Sequence, residues 1–239
     1  MDNFCKIRRR GFTLVELLIA MAVGIVIIAA VYSAMNLALR FSANTDRKVI
    51  SQQDTRAVLD LMAMEIRMAS YNPTMSTTIW STIPSNATTC NQMGLVSPVP
   101  ANKGIQIANA NTILIAMNLN ANNTIGAAGD ENEYIVYSYN ANANTITRNV
   151  SCGGNQAILG GTAPDSNVRN AAVLPTPIPL FQYFDRNDQP TALIPNIRRI
   201  QITIVTDTAA NDTTQSGTPR PRRMIYSTSV IVRNHAISP

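Results

Sequence analysis

Glu16 is the residue near the start of the chain whose chemistry conflicts most with its surroundings. Between Phe12 and Leu39 it is the only residue that is charged at neutral pH, and the segment 17–31 contains nothing more polar than glycine. A carboxylate in such a stretch is unfavourable in lipid unless it has a partner, and residues of this kind commonly mark functional positions. The chemistry that this position predicts is therefore an ion pair, for which a terminal amine is the obvious cation.

The other reactive side chains do not form a catalytic set. The single histidine, His235, lies four residues from the end of the chain and is expected to be an exposed tail residue. A loop of amides and acids resembles a calcium loop only faintly: Asn118, Asn120, Asn122, Gly126, Asp130, Glu131 and Glu133. Its first three positions are neutral amides and its glycine falls out of phase with the EF-hand pattern. We expect an asparagine-rich turn, with no catalytic residue, no metal and no cofactor.

The apolar segment that contains Glu16 has the length of a membrane span. At about 1.5 Å per residue, Leu17–Leu39 would form a helix of about 35 Å, against a hydrocarbon core of about 30 Å. Lys6 and three consecutive arginines, residues 8–10, precede this segment. Basic residues are retained on the cytoplasmic side, so the rest of the chain is expected to face the periplasm or the exterior.

The net charge gives little support to a nucleic-acid partner. The formal charge is +5, but residues 1–11 carry four basic groups and one acid. Without them the chain would carry only about +2, which is a weak electrostatic footprint for an anionic partner. Nucleic acid is therefore not expected as a partner.

One helix is predicted from about Thr13 to Ser70, because no proline occurs before Pro73. Its first half is apolar all round, and its second half is amphipathic. The apolar residues of that second half recur at helical spacing, with Val58 and Met62 alongside: Ile50, Ala57, Leu61, Met64 and Met68. We expect this face to cover a sheet.

After Pro73 the sequence is typical of short strands and turns, rich in β-branched residues, asparagine, glycine and proline. Seven strands are predicted: 104–107, 112–117, 134–139, 145–150, 180–184, 197–206 and 223–233. Asparagine-rich turns at 108–111 and 140–144 predict two hairpins. The fold class expected is α+β, with the long helix packed on an antiparallel sheet.

The segment Arg10-Gly11-Phe12-Thr13-Leu14-Val15-Glu16-Leu17-Leu18 resembles the cleavage and methylation site of type IV prepilins and type II secretion pseudopilins. The resemblance implies that prepilin peptidase cuts between Gly11 and Phe12, and that the new amine of Phe12 is N-methylated. It also implies that Glu16 pairs with the N-terminus of an adjoining subunit and sets axial register. The implied partners are the peptidase, the inner membrane before assembly, and other minor and major pilins through the N-terminal helix.

Removal of the leader simplifies the cysteine count and the organisation of the chain. Cys5 would be lost, and Cys90 and Cys152 would remain as an even pair in an oxidising compartment, where we expect them to be bonded. Four segments are expected: the leader 1–11, the apolar helix 12–39, its amphipathic continuation 40–70, and a periplasmic or extracellular β-rich head 71–239. The mature protein would leave the inner membrane for a filament at the cell surface.

Two features indicate a minor subunit. No proline interrupts the helix between Phe12 and Asn72, whereas many major pilins have one. Segments of the later body resemble PilW-like minor pilins and the related J-type minor pseudopilin: 134–137, 180–185, the strand from 197, and 229–234. The resemblance implies a minor pilin in a tip complex that primes pilus assembly. Two alternatives remain, a minor pseudopilin of a type II secretion system and an uncleaved, membrane-anchored binding module.

Overall fold

The computed structural model describes residues 11–85, 93–127, 129–161, 167–172, 176–212 and 220–236. The chain divides into two compact units, Met1–Asp46 and Arg47–Pro239. The first helix, α1 (Leu14–Arg67), contributes to both. In the N-terminal unit nearly all of its side chains are exposed, and α1 is the one helix among the described residues that is long and apolar enough to cross a membrane.

The C-terminal unit contains eight described strands in two antiparallel sheets. The first sheet has the order β1-β2-β3-β4-β5: β1 (Ile105–Ala108), β2 (Thr112–Ala116), β3 (Tyr134–Asn140), β4 (Thr145–Val150) and β5 (Gln156–Gly160). The second has the order β6-β7-β8: β6 (Phe181–Phe184), β7 (Arg199–Asp212) and β8 (Arg220–Ile231). The α+β architecture with a long helix on antiparallel strands is confirmed. All seven predicted strands occur, and β5 was missed.

The two predicted hairpins form because asparagine side chains close their turns. Oδ1 of Asn109 accepts hydrogen bonds from the backbone N–H groups of Asn111 and Thr112, at 3.0 and 2.7 Å. Oδ1 of Asn140 accepts the backbone N–H groups of Asn142 and Ala143 inside the second turn, at 3.0 and 3.1 Å, and Asn144 adopts a positive φ of 55°. These are the local bonds that make asparagine a turn residue, and they set the register of β1 with β2 and of β3 with β4.

The helix buries a different face from the one predicted. The residues of α1 that are buried in the C-terminal unit are Ser51, Thr55, Val58, Leu59, Met62, Ala63 and Ile66. Val58 and Met62 were expected there, but Ile50, Met64 and Met68 are 55%, 58% and 37% exposed. The buried face begins with two small hydroxyl residues, Ser51 and Thr55. The buried Thr55 hydroxyl donates a hydrogen bond to the backbone carbonyl of Ser51 at 2.7 Å. An apolar pattern therefore could not reveal it.

Strands β2 and β3 of the first sheet are buried on both faces. Ile113, Ile115 and Tyr137 face α1 and the second sheet in one core cluster. Leu114 and Val136, on the opposite face of the same strands, pack against a second cluster from the segment after the helix. That cluster includes Ile79, Trp80, Ile83, Met93, Leu95 and Ile125. Burial on both faces explains why residues 113–116 of β2 and 134–137 of β3 form continuous apolar runs instead of alternating with polar residues.

The prediction that His235 is an exposed tail residue is wrong. It lies in α2 (Arg233–Ala236) with 2% of its surface exposed. Its Nε2 is 2.8 Å from the carbonyl oxygen of Ile194, which can only accept, so Nε2 carries the proton. Its Nδ1 then accepts from the Ser70 hydroxyl at 2.8 Å, and that oxygen accepts the Gly104 N–H at 3.0 Å. The histidine ties α2 to the residues that follow α1.

We expect His235 to make the C-terminal unit less stable in acid. Burial lowers the pKa of His235 to about 4, helped by Arg198 and Lys103 and opposed by its bond to the Ile194 carbonyl. The imidazole therefore binds a proton below about pH 6.5 in the unfolded chain, but only below about pH 4 in the folded chain. Above pH 6.5 the imidazole is neutral in both states and does not change the free energy of unfolding. As the pH falls from about 6.5 to about 4, the free energy of unfolding decreases by up to about 3 kcal/mol.

Urea unfolding of the detergent-solubilised chain measures this, because its single tryptophan, Trp80, is 5% exposed and reports on the core. His235→Gln keeps a donor for the Ile194 carbonyl but does not titrate. Its stability should change less than that of the wild type between about pH 7 and about pH 4.5. Identical pH profiles for the two proteins would contradict the assignment.

Candidate processing and assembly site

The helix α1 begins with a capping box. Thr13 precedes the first helical residue, and its Oγ1 accepts the backbone N–H of Glu16 at 3.3 Å. In return, Oε2 of Glu16 accepts the backbone N–H of Thr13 at 2.9 Å and its hydroxyl at 3.1 Å. Two backbone donors that a helix start leaves unpaired are thus satisfied by side chains. Glu16 therefore has a local structural role in addition to any role in pairing with an amine.

Gly11 and Phe12 present an open peptide bond immediately before this cap. The Phe12 side chain is 89% exposed. A Cβ added to Gly11 would meet no atom of the chain within 4 Å. The fold of the chain does not require glycine at position 11, so a requirement for glycine there would come from an enzyme that binds this bond.

We expect Gly11→Val to block processing without disturbing the fold. The added side chain enters open space in the chain but crowds the peptide bond that a peptidase must hold. Mass spectrometry of the membrane fraction should show the full-length precursor for the variant, and for the wild type a chain that begins with N-methylated Phe12. Normal processing of Gly11→Val would contradict the expected recognition of this bond.

The structure thus brings together three predicted site residues, Gly11, Phe12 and Glu16, within one turn of the start of the helix. Thr13 belongs with them and was missed, although the spacing of Thr13 and Glu16 is a recognised capping signal. Of the predicted cysteine pair, Cys90 lies outside the described residues. Cys152 follows β4, packs against the second core cluster and lies 3.6 Å from the Tyr134 hydroxyl. Pairing of the two cysteines stays a prediction.

A polar network fixes the helix on the first sheet. Glu65 of α1 binds Arg148 of β4 through two contacts, Nη2 to Oε1 at 2.6 Å and Nε to Oε2 at 3.1 Å. The Tyr137 hydroxyl of β3 donates to Oε2 of the same carboxylate. Burial, the bond to Glu65 and its charge together raise the pKa of Tyr137. The tyrosine therefore stays a hydrogen-bond donor at every physiological pH.

The loop that faintly resembled a calcium site is organised around a buried carboxylate. Oδ1 of Asp130 accepts the side-chain amides of Asn120 and Asn122 at 2.7 and 2.8 Å, and Oδ2 accepts the Ala127 N–H at 2.7 Å. Glu133, also buried, accepts the Asn120 N–H at 3.1 Å. The amides turn their nitrogens towards Asp130, an arrangement that satisfies an anion. Among the described residues, no group of three or more His, Cys, Asp or Glu is placed to hold a metal ion.

Burial raises the pKa of Glu133, and the nearby charge of Asp130 raises it further, while the N–H groups of Asn120 and Leu119 oppose the shift. One of its carboxylate oxygens has no hydrogen-bond partner among the described residues. The loop therefore holds two buried carboxylates, of which Asp130 accepts hydrogen bonds on both oxygens and Glu133 on only one.

An exposed apolar helix, a capped glutamate near its start and an open glycine–phenylalanine bond before it define the prepilin class of protein. In agreement, residues 6–32 match the prokaryotic N-terminal methylation motif. Residues 44–172, more than half of the chain, match the model of prepilin peptidase-dependent protein B. The chain therefore belongs to the prepilin peptidase-dependent protein B family. No curated protein and no solved structure matches it.

This membership makes the chain a type IV pilin-like component of a pilus or a pseudopilus. Pilin-like chains with this motif are substrates of prepilin peptidase and are not enzymes themselves, so the peptidase is a partner of this chain. The apolar first half of α1 is correspondingly a membrane anchor before assembly.

Proposed function

We propose that the chain is a PilW-like minor pilin of a type IV pilus and acts in a tip complex that primes assembly. Residues 1–11 are removed, Phe12 is methylated, and the C-terminal unit faces the periplasm before the protein enters the filament. Glu16 then pairs with the N-terminal amine of an adjoining subunit. Other minor and major pilins are its partners through the N-terminal helix.

The observation that carries the proposal is the exposed apolar half of α1, which contains a single acid at the fifth position after the expected cut. Such a helix is stable only in lipid or against other helices, and a filament core supplies the second environment after the membrane supplies the first. The size of the C-terminal unit, Arg47–Pro239, supports a place at the tip, where fewer neighbours crowd a large subunit.

A deletion strain assayed in parallel for surface pili and for secretion of exported enzymes tests the proposal. Loss of surface pili with normal secretion is expected, and complementation with the wild-type gene should restore the pili. Normal piliation in the deletion strain would overturn the role in priming.

A minor pseudopilin of a type II secretion system is the second candidate. The uninterrupted helix and the J-type resemblance of the later segments fit this candidate as well, and a pseudopilin requires the same N-terminus. In the same assay this candidate predicts loss of secretion with normal pili. An uncleaved anchored module would instead retain residues 1–11 in the mature protein.

We also expect Cys90 and Cys152 to be joined in the exported protein. The bond would close a loop of roughly 60 residues. Because it lowers the conformational entropy of the unfolded chain, it would stabilise the fold by about 4 kcal/mol. Thiol labelling of the denatured, unreduced mature protein should detect no free thiol, and labelling after reduction should detect two. Two free thiols before reduction would contradict the pairing.

A further inference from the structure

The C-terminal unit contains a cleft that the processing and assembly residues do not line. It has a volume of about 520 Å³ and lies just beyond the C-terminal end of α1, with Ser70 in its lining. Sites for small molecules typically measure about 300 to 1,000 Å³. The lining is mostly apolar, with several ring-bearing side chains and a lysine: Tyr71, Pro73, Met75, Trp80, Pro100 and Lys103. The cleft therefore has the size and character of a small-molecule site.

One wall of the cleft is the segment that follows α1, residues 70–77. Nδ2 of Asn72 donates to the Ser76 carbonyl at 2.9 Å. The Tyr71 carbonyl accepts the Asn118 N–H at 2.8 Å, which ties this segment to the residues that follow β2. These bonds are made within the chain, so the wall is in place before any ligand binds.

A second wall is the segment 100–103, which the side chain of Gln106 holds. Gln106 is 6% exposed, accepts the Val99 N–H at 2.8 Å, and donates to the Val99 and Lys103 carbonyls at 3.0 and 2.5 Å. Gly104 packs so closely on the first wall that an added Cβ would lie 2.5 Å from the Ser70 nitrogen. Because both walls are formed in advance, a ligand would lose little free energy in ordering them.

The side chains of the walls suit an aromatic ring. Trp80 contributes to the lining although it is only 5% exposed, while Tyr71 and Met75 are 37% and 71% exposed. Aromatic rings pack favourably against Trp and Tyr, and the thioether sulfur of Met gains from contact with a ring. A rigid ring also loses less conformational entropy on binding than a flexible chain of the same area.

The charge at the cleft favours an anion. Among the described residues of the lining, Lys103 carries the only charge, and none is Asp or Glu. Burial lowers the pKa of Lys103, and the charge of Arg198 lowers it further. Both effects oppose the positive charge of the lysine, and a carboxylate in the cleft would offset both. It would also form a charge-assisted hydrogen bond with the ammonium group.

We propose that the cleft binds a small aromatic carboxylic acid, with its ring against Trp80 and Met75 and its carboxylate at Lys103. The site is separate from Gly11, Phe12 and Glu16, so the proposal holds for a pilus subunit and for a pseudopilus subunit alike.

Quenching of the single tryptophan, Trp80, tests the proposal in the full-length chain in a nonionic detergent. The probe is para-bromobenzoate, whose bromine quenches tryptophan fluorescence on contact. We expect saturable quenching with a Kd of about 1 mM or tighter, as for a ligand of about ten non-hydrogen atoms. The uncharged analogue para-bromobenzamide has the same ring and should bind at least about fivefold more weakly.

Removal of the lysine charge provides the second arm. Lys103→Gln should weaken the binding of para-bromobenzoate by about fivefold or more and leave that of para-bromobenzamide unchanged. The benzamide thus reports whether the variant keeps its cleft. Lys48→Gln makes the same chemical change at an exposed position that does not line the cleft, and it should alter neither Kd.

Three results would overturn the proposal. Quenching that rises linearly without saturation would show contact through the detergent or by random collision. Equal Kd values for the benzoate and the benzamide would exclude an anion site. Unchanged benzoate binding in Lys103→Gln, or an equal loss in Lys48→Gln, would show that Lys103 does not hold the carboxylate.

Discussion

Replacing Glu16 by Gln should leave processing intact and yet reduce entry of the protein into filaments by about tenfold or more. Glutamine at the third helical position can still accept the Thr13 N–H, because Gln serves in capping boxes as well as Glu does. It cannot neutralise an amine. The variant therefore separates the capping contact that the structure shows from the proposed role of Glu16 in supplying charge to a neighbouring subunit.

Glu16→Ala is the matched comparison, since it removes the cap as well as the charge. Sheared filaments and membranes, quantified by immunoblot and normalised to mature protein, give the fraction incorporated. If Gln and Ala reduce incorporation equally, charge is the essential property. If Gln behaves like the wild type and only Ala is defective, the cap is what matters, and the ion pair with a neighbouring amine is refuted.

Loss of the Glu65 carboxylate should destabilise the C-terminal unit by about 2 to 4 kcal/mol. Glu65→Ala leaves Arg148 of β4 without its counter-charge and leaves the Tyr137 hydroxyl without its acceptor. The side chains of Arg148 and Glu65 are 21% and 13% exposed, so water compensates part of the loss and the effect should fall below that of a fully buried pair.

Urea unfolding followed by Trp80 fluorescence measures this change. Asp60→Ala, at an exposed position of the same helix, is the control and should change stability by less than about 0.5 kcal/mol. A double-mutant cycle with Arg148→Ala isolates the coupling between the two charges. A coupling energy near zero would show that apolar packing alone holds the helix on the sheet.

The parts of the fold that were predictable are those with a strong local signal. The membrane-length segment follows from composition, and seven strands and two hairpins follow from β-branched runs separated by asparagine turns. β5 was missed because Gln156–Gly160 is short, begins with polar or small residues and ends in glycine. Its pairing with β4 comes from the tertiary structure rather than from its own preference.

The helix face was predicted in the wrong place for a physical reason. α1 carries two apolar stripes, and the more regular one, with Ile50 and Met64, is the exposed one. The buried one starts with Ser51 and Thr55, whose small side chains allow close approach but count as polar in any pattern. Periodicity finds apolar faces and cannot tell which of two is covered within the chain.

The polar contacts could not be predicted from the sequence because they join residues that are far apart in the chain. Glu65 and Arg148 lie 83 positions apart, and Ser70 and His235 lie 165 apart. The position of His235 near the end of the chain suggested exposure, while α2 in fact returns to the core. By contrast, the capping pair Thr13 and Glu16 is entirely local and could have been recognised from its spacing alone.

The capped start of α1 has an electrostatic consequence for the amine that cleavage creates. The peptide dipoles of a helix sum to a partial positive charge at its N-terminus, which is where the Phe12 amine would lie. That amine is therefore repelled by the pole of its own helix, and the nearest carboxylate, Glu16, already accepts two hydrogen bonds from Thr13. The same positive pole attracts anions and repels the amine. The dipole of each subunit therefore favours an amine that points away from its own helix and towards another chain.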